Sequence, residues 1–136
     1  MTKNEIDQLS RDVIGAAIEV HKALGPGLLE SVYHKCLKHE LGLRGISVQS
    51  ELIVPLTYKE LKLEAWLKCD LVVNNRLIVE VKSVEEFHPV HEAQLLTYMH
   101  LLNIPKGVLI NFNCTNIFKY GQATYVNKIY RELPEV

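Results

Sequence analysis

The chain has 136 residues and a formal net charge of −1, with 48% hydrophobic and 23% charged residues. This length and composition are typical of one folded domain over residues 1–136. No apolar run approaches the ~20 residues that span a membrane, and the N-terminus lacks a signal-peptide pattern. Three cysteines without metal-ligand spacing argue against zinc and are typical of a cytoplasmic protein. Because the net charge is −1, we expect that any nucleic-acid binding needs a local basic patch.

The first predicted element is a long helix. Asn4, with Asp7 three residues later, is typical of an N-cap, and apolar residues then recur at helical spacing as far as Leu24. The following segment, Gly25-Pro26-Gly27, predicts the end of this helix.

A second helix is predicted over residues 28–41, with Gly42 as its C-terminal cap. Glu30 stands out in it, because helical spacing places its carboxylate beside Leu37, on the rim of the apolar face, pointing inward or nearly so. The alternative is a first-turn glutamate that the helix dipole stabilises. Spacing alone favours that alternative.

The middle of the chain is typical of an antiparallel meander of strands. Pro55 limits part of the first strand to a sheet edge or a bulge, and Lys59-Glu60 forms the next turn. The predicted strands cover residues 46–58, 61–73 and 77–82.

The loop between the last two strands decides which side chains share a face. A two-residue loop at positions 74–75 would leave Asp70 and Glu80 on opposite faces. A three-residue loop over residues 74–76, with a bulge, pairs Asp70 with Glu80 and places Lys82 on the same face. We expect the three-residue loop.

Two carboxylates and an ammonium on one face of an apolar hairpin need compensating charge. Mg²⁺ provides it, since it takes one or two protein carboxylates and leaves its remaining positions for water and phosphate oxygens. These residues therefore predict a magnesium and phosphate site at Asp70, Glu80 and Lys82. A cross-strand ion pair on a solvated sheet face is the alternative, and from these residues alone both stay open.

A third long helix, which Pro89 opens, is predicted to connect the Glu80 strand to a buried parallel strand over residues 107–112. Residues 117–130 are expected to form one or two short strands. The element order predicts an α/β or α+β fold with a mixed central β-sheet flanked by helices. The third helix is expected to pack through Val90, Ala93, Leu96 and Leu101, and to bring together His91, Gln94 and Tyr98.

Several motifs carry a resemblance to a known family. In this order, Asp70, Glu80-x-Lys82 and Gln94-x-x-x-Tyr98 resemble the PD-(D/E)XK nuclease superfamily, in its RecB-like branch with the QxxxY motif. Residues 27–33, Gly-Leu-Leu-Glu-Ser-Val-Tyr, are similar to the signature of the GxxExxY family of small proteins. Residues 91–98 and 109–112 resemble further blocks of that family, so the resemblance covers nearly the whole chain.

The resemblance implies a restriction-endonuclease-like core and a Mg²⁺-dependent nuclease, with Mn²⁺ as a substitute cofactor. It implies that the metal binds the carboxylates of Asp70, Glu80 and Glu30 and the Val81 carbonyl. By the same resemblance, Glu30 is a functional residue. Lys82 would orient the attacking water and stabilise the transition state, or act as a general base.

The resemblance also implies substrate contacts. Gln94 and Tyr98 would hold a phosphate or a water by neutral hydrogen bonds. His91 would touch substrate or cap its helix, and Lys68, where the branch often has arginine, keeps the charge without bidentate contact. For Tyr33, a substrate contact is secondary to a half-buried core position with a bonded hydroxyl.

Two functions follow as alternatives. The first is a metal-dependent phosphodiesterase that cuts nucleic acid, with DNA as the expected substrate. The second is a catalytically silent module of nuclease fold that binds nucleic acid or a protein partner. The complete motif favours the enzyme, and a homodimer or a partner protein would supply any targeting. Further candidates for stacking or phosphate contacts, with solvated surface as the alternative, are Trp66, Lys35, Lys38, Lys59 and Lys62.

Overall fold

A computed structural model describes residues 1–64 and 66–136. Ala65, inside the strand predicted over residues 61–73, lies outside the described residues. In chain order the elements are α1 (Lys3–Leu24), α2 (Glu30–Leu43), β1 (Val48–Ile53), β2 (Leu56–Tyr58), β3 (Leu61–Leu63), β4 (Lys68–Val73), β5 (Leu77–Lys82), α3 (Pro89–Leu101), β6 (Lys106–Asn111), α4 (Ile117–Tyr120), β7 (Gln122–Val126) and α5 (Lys128–Arg131).

The N-cap of helix α1 lies two residues before the predicted N-cap, Asn4. Thr2 is the N-cap, and its hydroxyl accepts the Glu5 N–H at 3.1 Å. The N–H of Asn4, the predicted cap, donates instead to the Glu135 carbonyl at 3.1 Å. This contact with the distant C-terminus satisfies a first-turn N–H that would otherwise lack a partner. The predicted end is confirmed, because Gly25 follows the helix with φ 68°.

Helix α2 begins at Glu30 and continues past Gly42, so the predicted C-terminal cap is wrong. The helix ends at Leu43, and Arg44 follows it with its guanidinium 2.8 Å from the Glu40 carboxylate. The Glu30 residue is exposed. The expectation that the Glu30 side chain points towards the core is therefore wrong, since Glu30 is the exposed first residue of the helix.

The main sheet has five strands in the order β1-β4-β5-β6-β7. Strands β5 and β6 are parallel, with α3 as the crossover, and the other neighbours are antiparallel. The mixed sheet flanked by helices is thus confirmed. Strands β2 and β3 form a separate hairpin around Lys59 and Glu60, which have φ of 42° and 73°. The long predicted strands 46–58 and 61–73 are each divided in two, the first of them at Pro55.

Two apolar layers cover the two faces of the sheet. Helices α1 and α2 pack against the odd-numbered residues of β4 and β5, from Leu71 to Val81. Helix α3 packs on the other face through Leu95, Tyr98 and Met99.

The packing face predicted for α3 is wrong for three of its four residues, because Val90, Ala93 and Leu96 are exposed, while Leu101 packs against the core as predicted. Contact with β6 decides the orientation of the helix. Gly107 of β6 leaves the space that Leu95 and Met99 fill, and a Cβ there would lie 2.7 Å from Leu95 Cδ1 and 2.9 Å from Met99 Sδ.

The C-terminal region contains one strand and two short helices. β7 extends the sheet beside β6, as one of the predicted strands, while α4 and α5 are four-residue helices that periodicity did not indicate. Among the described residues, no helix combines the length and the apolar character needed to cross a bilayer.

Candidate active site

The β4–β5 hairpin has the predicted register. Its Cα partners are Leu71 with Val79 and Val73 with Leu77, so residues 74–76 form a three-residue loop. Asn74 and Asn75 adopt φ of 50° and 55°, a left-handed conformation that asparagine tolerates better than most residues. The strand pairing ends at Leu71 and Val79, and cross-strand hydrogen bonds of the next residues, Asp70 and Glu80, show that these two face each other.

At Asp70 and Glu80 the two carboxylates replace the backbone ladder between the strands. The Asp70 N–H donates to Glu80 Oε2 at 3.2 Å, and the Val81 N–H donates to Asp70 Oδ2 at 2.8 Å. Each carboxylate is thus held by a backbone N–H of the opposite strand through one oxygen. The second oxygens, Oδ1 and Oε1, are the ones a cation would use.

The neighbouring edge strand is also distorted at this position. β1 pairs with β4 on both sides of the site, Ser50 with Leu71 and Leu52 with Cys69, which leaves Glu51 opposite Asp70. Glu51 has φ 53°, a costly conformation for a glutamate within a strand. No residue in the sequence signals this distortion.

The charge of the carboxylate pair is poorly compensated. Glu80 is 3% exposed. Burial, together with the hydrogen bonding and charge of Asp70, raises the pKa of Glu80 far above its ordinary value, and the nearby Lys82 charge offsets only part of this rise. Burial and the same two carboxylates also raise the pKa of the Cys69 thiol. Adjacent acidic groups in a dry setting favour a cation between them.

The donor chemistry of Asp70 and Glu80 fits a hard divalent cation such as Mg²⁺, which prefers carboxylate oxygens. The described residues contain no group of three His, Cys, Asp or Glu side chains placed to hold a metal ion. Glu30 therefore does not join the two strand carboxylates in this arrangement. Its charge acts instead on His91, on which Lys82 also acts, so Glu30 borders the site from the end of α2.

The start of α2 is held in place by Tyr33. The Tyr33 hydroxyl donates to the Gly25 carbonyl and accepts the Leu28 N–H at 3.1 Å, and its ring stacks on Phe112 at 4.5 Å. The Leu28 carbonyl in turn accepts the Ser83 hydroxyl at 2.7 Å, just after β5.

Tyr33 has 0% exposure. The predicted substrate contact of Tyr33 is therefore wrong, because its ring and hydroxyl are enclosed by the protein. The alternative of a core tyrosine with a bonded hydroxyl describes it better. By tying the loop before α2 to the end of β5, Tyr33 determines where Glu30 lies relative to Lys82.

Helix α3 brings its polar residues to the same side of the sheet as the carboxylates. Tyr98 is 3% exposed, and burial and then the charges of Glu80 and Asp70 raise its pKa, while Gln94 beside its hydroxyl has the opposite effect. Gln94 is exposed. Direct substrate contact is therefore open to Gln94, whereas Tyr98 is buried in the core beside the carboxylates.

His91 caps α3. Its Nδ1 accepts the His88 N–H at 3.0 Å, and His88 Nδ1 accepts the Val90 N–H at 3.2 Å, which gives a reciprocal cap. Burial, Lys82 and His88 lower the pKa of His91. The capping alternative for His91 is thus present. The predicted basic residue Lys68 is exposed at the start of β4, two residues before Asp70.

Sequence reasoning missed Asn111, a buried residue at the end of β6 that lies beside Lys82 in the sheet. Its Oδ1 accepts the Val84 N–H at 3.1 Å and its Nδ2 donates to the Val84 carbonyl at 2.9 Å. The Phe112 N–H donates to the Lys82 carbonyl at 2.9 Å. Together these bonds hold the backbone around Lys82. The sequence feature that could have indicated Asn111 is a polar residue at the end of an otherwise apolar strand.

The comparisons with known proteins concern the family and the fold of the chain. The family model of the PD-(D/E)XK nuclease superfamily matches residues 7–122. A solved structure, titled "Crystal structure of SSO0001", is similar in fold, with a TM-score of 0.54 and 18% identity over 75% of this chain and 55% of that one. This chain thus spans about half the length of that protein. No curated protein matches it in sequence.

Proposed function

Because the chain belongs to the PD-(D/E)XK nuclease superfamily, we propose that it is a Mg²⁺-dependent nuclease that hydrolyses phosphodiester bonds of nucleic acid, with DNA as the substrate. One observation carries the proposal: the half-buried carboxylate of Asp70 and the buried carboxylate of Glu80 face each other where the strand ladder opens. Within the superfamily we assign the chain to the GxxExxY family and the RecB-like branch. That assignment rests on Gly27, Glu30 and Tyr33 and on Gln94 and Tyr98.

The carboxylates of Asp70 and Glu80 would hold the metal, with the Val81 carbonyl as a further oxygen donor. A bound Mg²⁺ (or Mn²⁺) supplies charge neutralisation at the phosphate and favours ionisation of water. The backbone N–H groups of Asp70 and Val81 keep both carboxylates oriented, which preorganises the site before substrate arrives.

The reaction is the attack of a water oxygen on phosphorus, with cleavage of the P–O ester bond to give a phosphate monoester and a free hydroxyl. Lys82 would place its ammonium beside the non-bridging oxygens and the attacking water, because it ends β5 two residues after Glu80. Glu30, on the rim, would orient the water or the Lys82 ammonium. Gln94 would donate to a phosphate oxygen, and Lys68 would contact the backbone of the substrate.

The direct test is cleavage of labelled single- and double-stranded oligonucleotides with MgCl₂ or MnCl₂. Replacing Asp70→Asn, Glu80→Gln or Lys82→Ala should reduce cleavage by at least about 10²-fold, since each removes a charge acting at the reacting phosphate. Asp12→Asn is the matched control, because Asp12 lies on α1 and accepts a hydrogen bond from Gln8 at 2.8 Å. The proposal fails if wild type cuts no substrate with either metal, or if the three variants cut as wild type does.

The catalytically silent module stays the second candidate, and one observation favours it: Glu30 does not join Asp70 and Glu80 in a three-residue metal group among the described residues. This alternative predicts no cleavage, and salt-sensitive oligonucleotide binding that Lys82→Ala leaves unchanged. The same set of variants therefore separates the two functions. Gel filtration with and without oligonucleotide would show whether a homodimer forms.

A further inference from the structure

Many basic side chains of this protein already have acidic partners. The salt bridges in the described part of the chain join Lys3 to Glu135, Arg44 to Glu40, Arg76 to Glu5, Lys106 to Asp7 and Lys128 to Glu132. Lys35 and Lys38, on successive turns of α2, form no salt bridge with any described residue. Their charge is available to an external anion, although the net charge of the whole chain is −1.

These two lysines line a groove between α2 and β1, which we call the α2–β1 groove. Its volume is about 260 Å³. A hydrogen bond of 2.7 Å between the His34 ring and the Ser50 hydroxyl joins its two walls. The residues that line the groove are Ser31, His34, Lys35, Lys38, Ser50 and Glu51.

The groove continues along α2 instead of ending as an isolated hollow. A second concavity, of about 460 Å³, shares Lys35 and Lys38 and adds His39. The two lysines therefore stand between adjoining depressions. Such a shape suits an extended polyanion that crosses both lysines better than it suits a single small anion.

The groove adjoins the candidate active site. Glu51, one of its lining residues, lies opposite Asp70 in the β1–β4 register, and neighbouring strands are ~4.8 Å apart. Ser31, another lining residue, directly follows Glu30. The groove therefore borders the candidate site across the edge strand, with Glu51 one strand away from Asp70.

We propose that the α2–β1 groove binds the phosphodiester backbone of the nucleic-acid strand that is cut. Lys35 and Lys38 contact phosphate oxygens, and the Ser31 hydroxyl donates a hydrogen bond. Glu51 contributes a repulsive charge that weakens this contact. The proposal deepens the proposed nuclease function and rests on it for the identity of the bound polymer.

Salt dependence of binding tests the two lysines. Fluorescence anisotropy of a labelled 20-nucleotide single strand, in EDTA to prevent cleavage, gives the slope of log K against log salt. The Lys35→Ala/Lys38→Ala variant should lower this slope by about 1.4, from ~0.7 for each phosphate contact on a single strand. The matched control is Lys119→Ala/Lys128→Ala, because α4 and α5 lie beside β7, at the opposite edge of the sheet from β1.

A change of opposite sign provides the second arm. Glu51→Gln should tighten binding by about 1.5- to 5-fold at low salt, the usual effect of one exposed charge. The proposal is overturned if the Lys35/Lys38 variant has the slope of the control variant, if Glu51→Gln weakens binding, or if wild type does not bind the oligonucleotide. Circular-dichroism melting curves establish that each variant is folded before it is compared.

Failure of the groove and failure of the nuclease assignment give different results. A wild type that cuts with Mg²⁺, while the Lys35→Ala/Lys38→Ala variant keeps its KM and its salt slope, refutes the groove alone. If wild type cuts nothing, but the variant has a slope of log K against log salt that is lower by about 1.4, the nuclease is refuted and the groove is supported.

Discussion

Two clusters of polar side chains, one around Asp7 and one around Asp70 and Glu80, lie at opposite ends of the β5–β6 strand pair and differ in how their charge is balanced. At the beginning of β6, the carboxylate of Asp7 contacts Lys106 Nζ at 2.8 Å and the Tyr130 hydroxyl at 2.9 Å. Near the start of β4 and the end of β5, Asp70 and Glu80 face each other, and each carboxylate accepts a backbone N–H of the opposite strand.

The pKa shifts record this difference. Burial alone would raise the pKa of Asp7, but the hydrogen bonds from Lys106 and Tyr130 outweigh it and lower that pKa. At Glu80, burial and Asp70 act in the same direction and raise the pKa. At Asp7 the fold therefore provides a cationic partner, Lys106, that stabilises the carboxylate. The carboxyl-terminal end of β5, where parallel strands commonly bind ligands, is left with unbalanced charge.

Breaking the balanced cluster should have the largest effect on stability. Asp7→Ala leaves the Lys106 ammonium and the Tyr130 hydroxyl without their acceptor, and we expect a loss of about 2–3 kcal/mol in the free energy of unfolding. Urea denaturation at pH 7 measures it. Because the pKa of Asp7 is lowered in the folded state, its contribution is present above its ordinary pKa of 3.8 and disappears as the pH falls below that value. An unchanged midpoint in Asp7→Ala would contradict the comparison.

Removing charge from the unbalanced cluster should have the opposite effect. Glu80→Gln keeps an oxygen for the Asp70 N–H and removes a carboxyl group that folding must bury either charged or with an added proton, so we expect a gain of about 1–2 kcal/mol at pH 7 in metal-free buffer. Wild type should lose stability relative to Glu80→Gln as the pH rises above 4.5, because its raised pKa lets the folded state hold an extra proton there.

The exposed Glu19→Gln on α1 is the matched control for this gain, since it makes the same chemical change at the surface. It should leave the free energy of unfolding at pH 7 nearly unchanged. Destabilisation by Glu80→Gln in metal-free buffer would show that the carboxylate pair is already balanced in the folded protein.

Adding the cation sharpens the comparison with a smaller effect. If Mg²⁺ binds Asp70 and Glu80, a concentration ten times its Kd stabilises wild type by about 1.4 kcal/mol and leaves Glu80→Gln nearly unchanged. Asp7→Ala should respond to Mg²⁺ as wild type does, because Asp7 is paired with the Lys106 ammonium in wild type and does not bind the metal. Thermal melts with MgCl₂, and with NaCl at matched ionic strength, measure these shifts. Equal responses from wild type and Glu80→Gln would argue against the site.

The local features of the site could be predicted because short stretches of sequence control them. Residues 74–76 determine the hairpin loop, and the alternation of side chains in a strand then places Asp70 opposite Glu80. The end of α1 at Gly25 follows from local chemistry in the same way. These features depend on neighbours within about ten residues.

Other features could not be predicted from their own segments. The buried face of α3 follows from the space at Gly107, which lies on a different element. Tyr33 is a core residue because Gly25, Leu28 and Phe112 surround it. Periodicity identifies an apolar face but does not identify the surface that will cover it.

The sequence by itself determined the hairpin register that places Asp70 opposite Glu80, since turn geometry and side-chain alternation are local. Only the tertiary structure decided how well their charge is balanced, how Glu51 adapts opposite Asp70, and that α2 and β1 form a basic groove beside them. Burial and electrostatic balance depend on every element packed around a group, and the chain must fold before those elements meet.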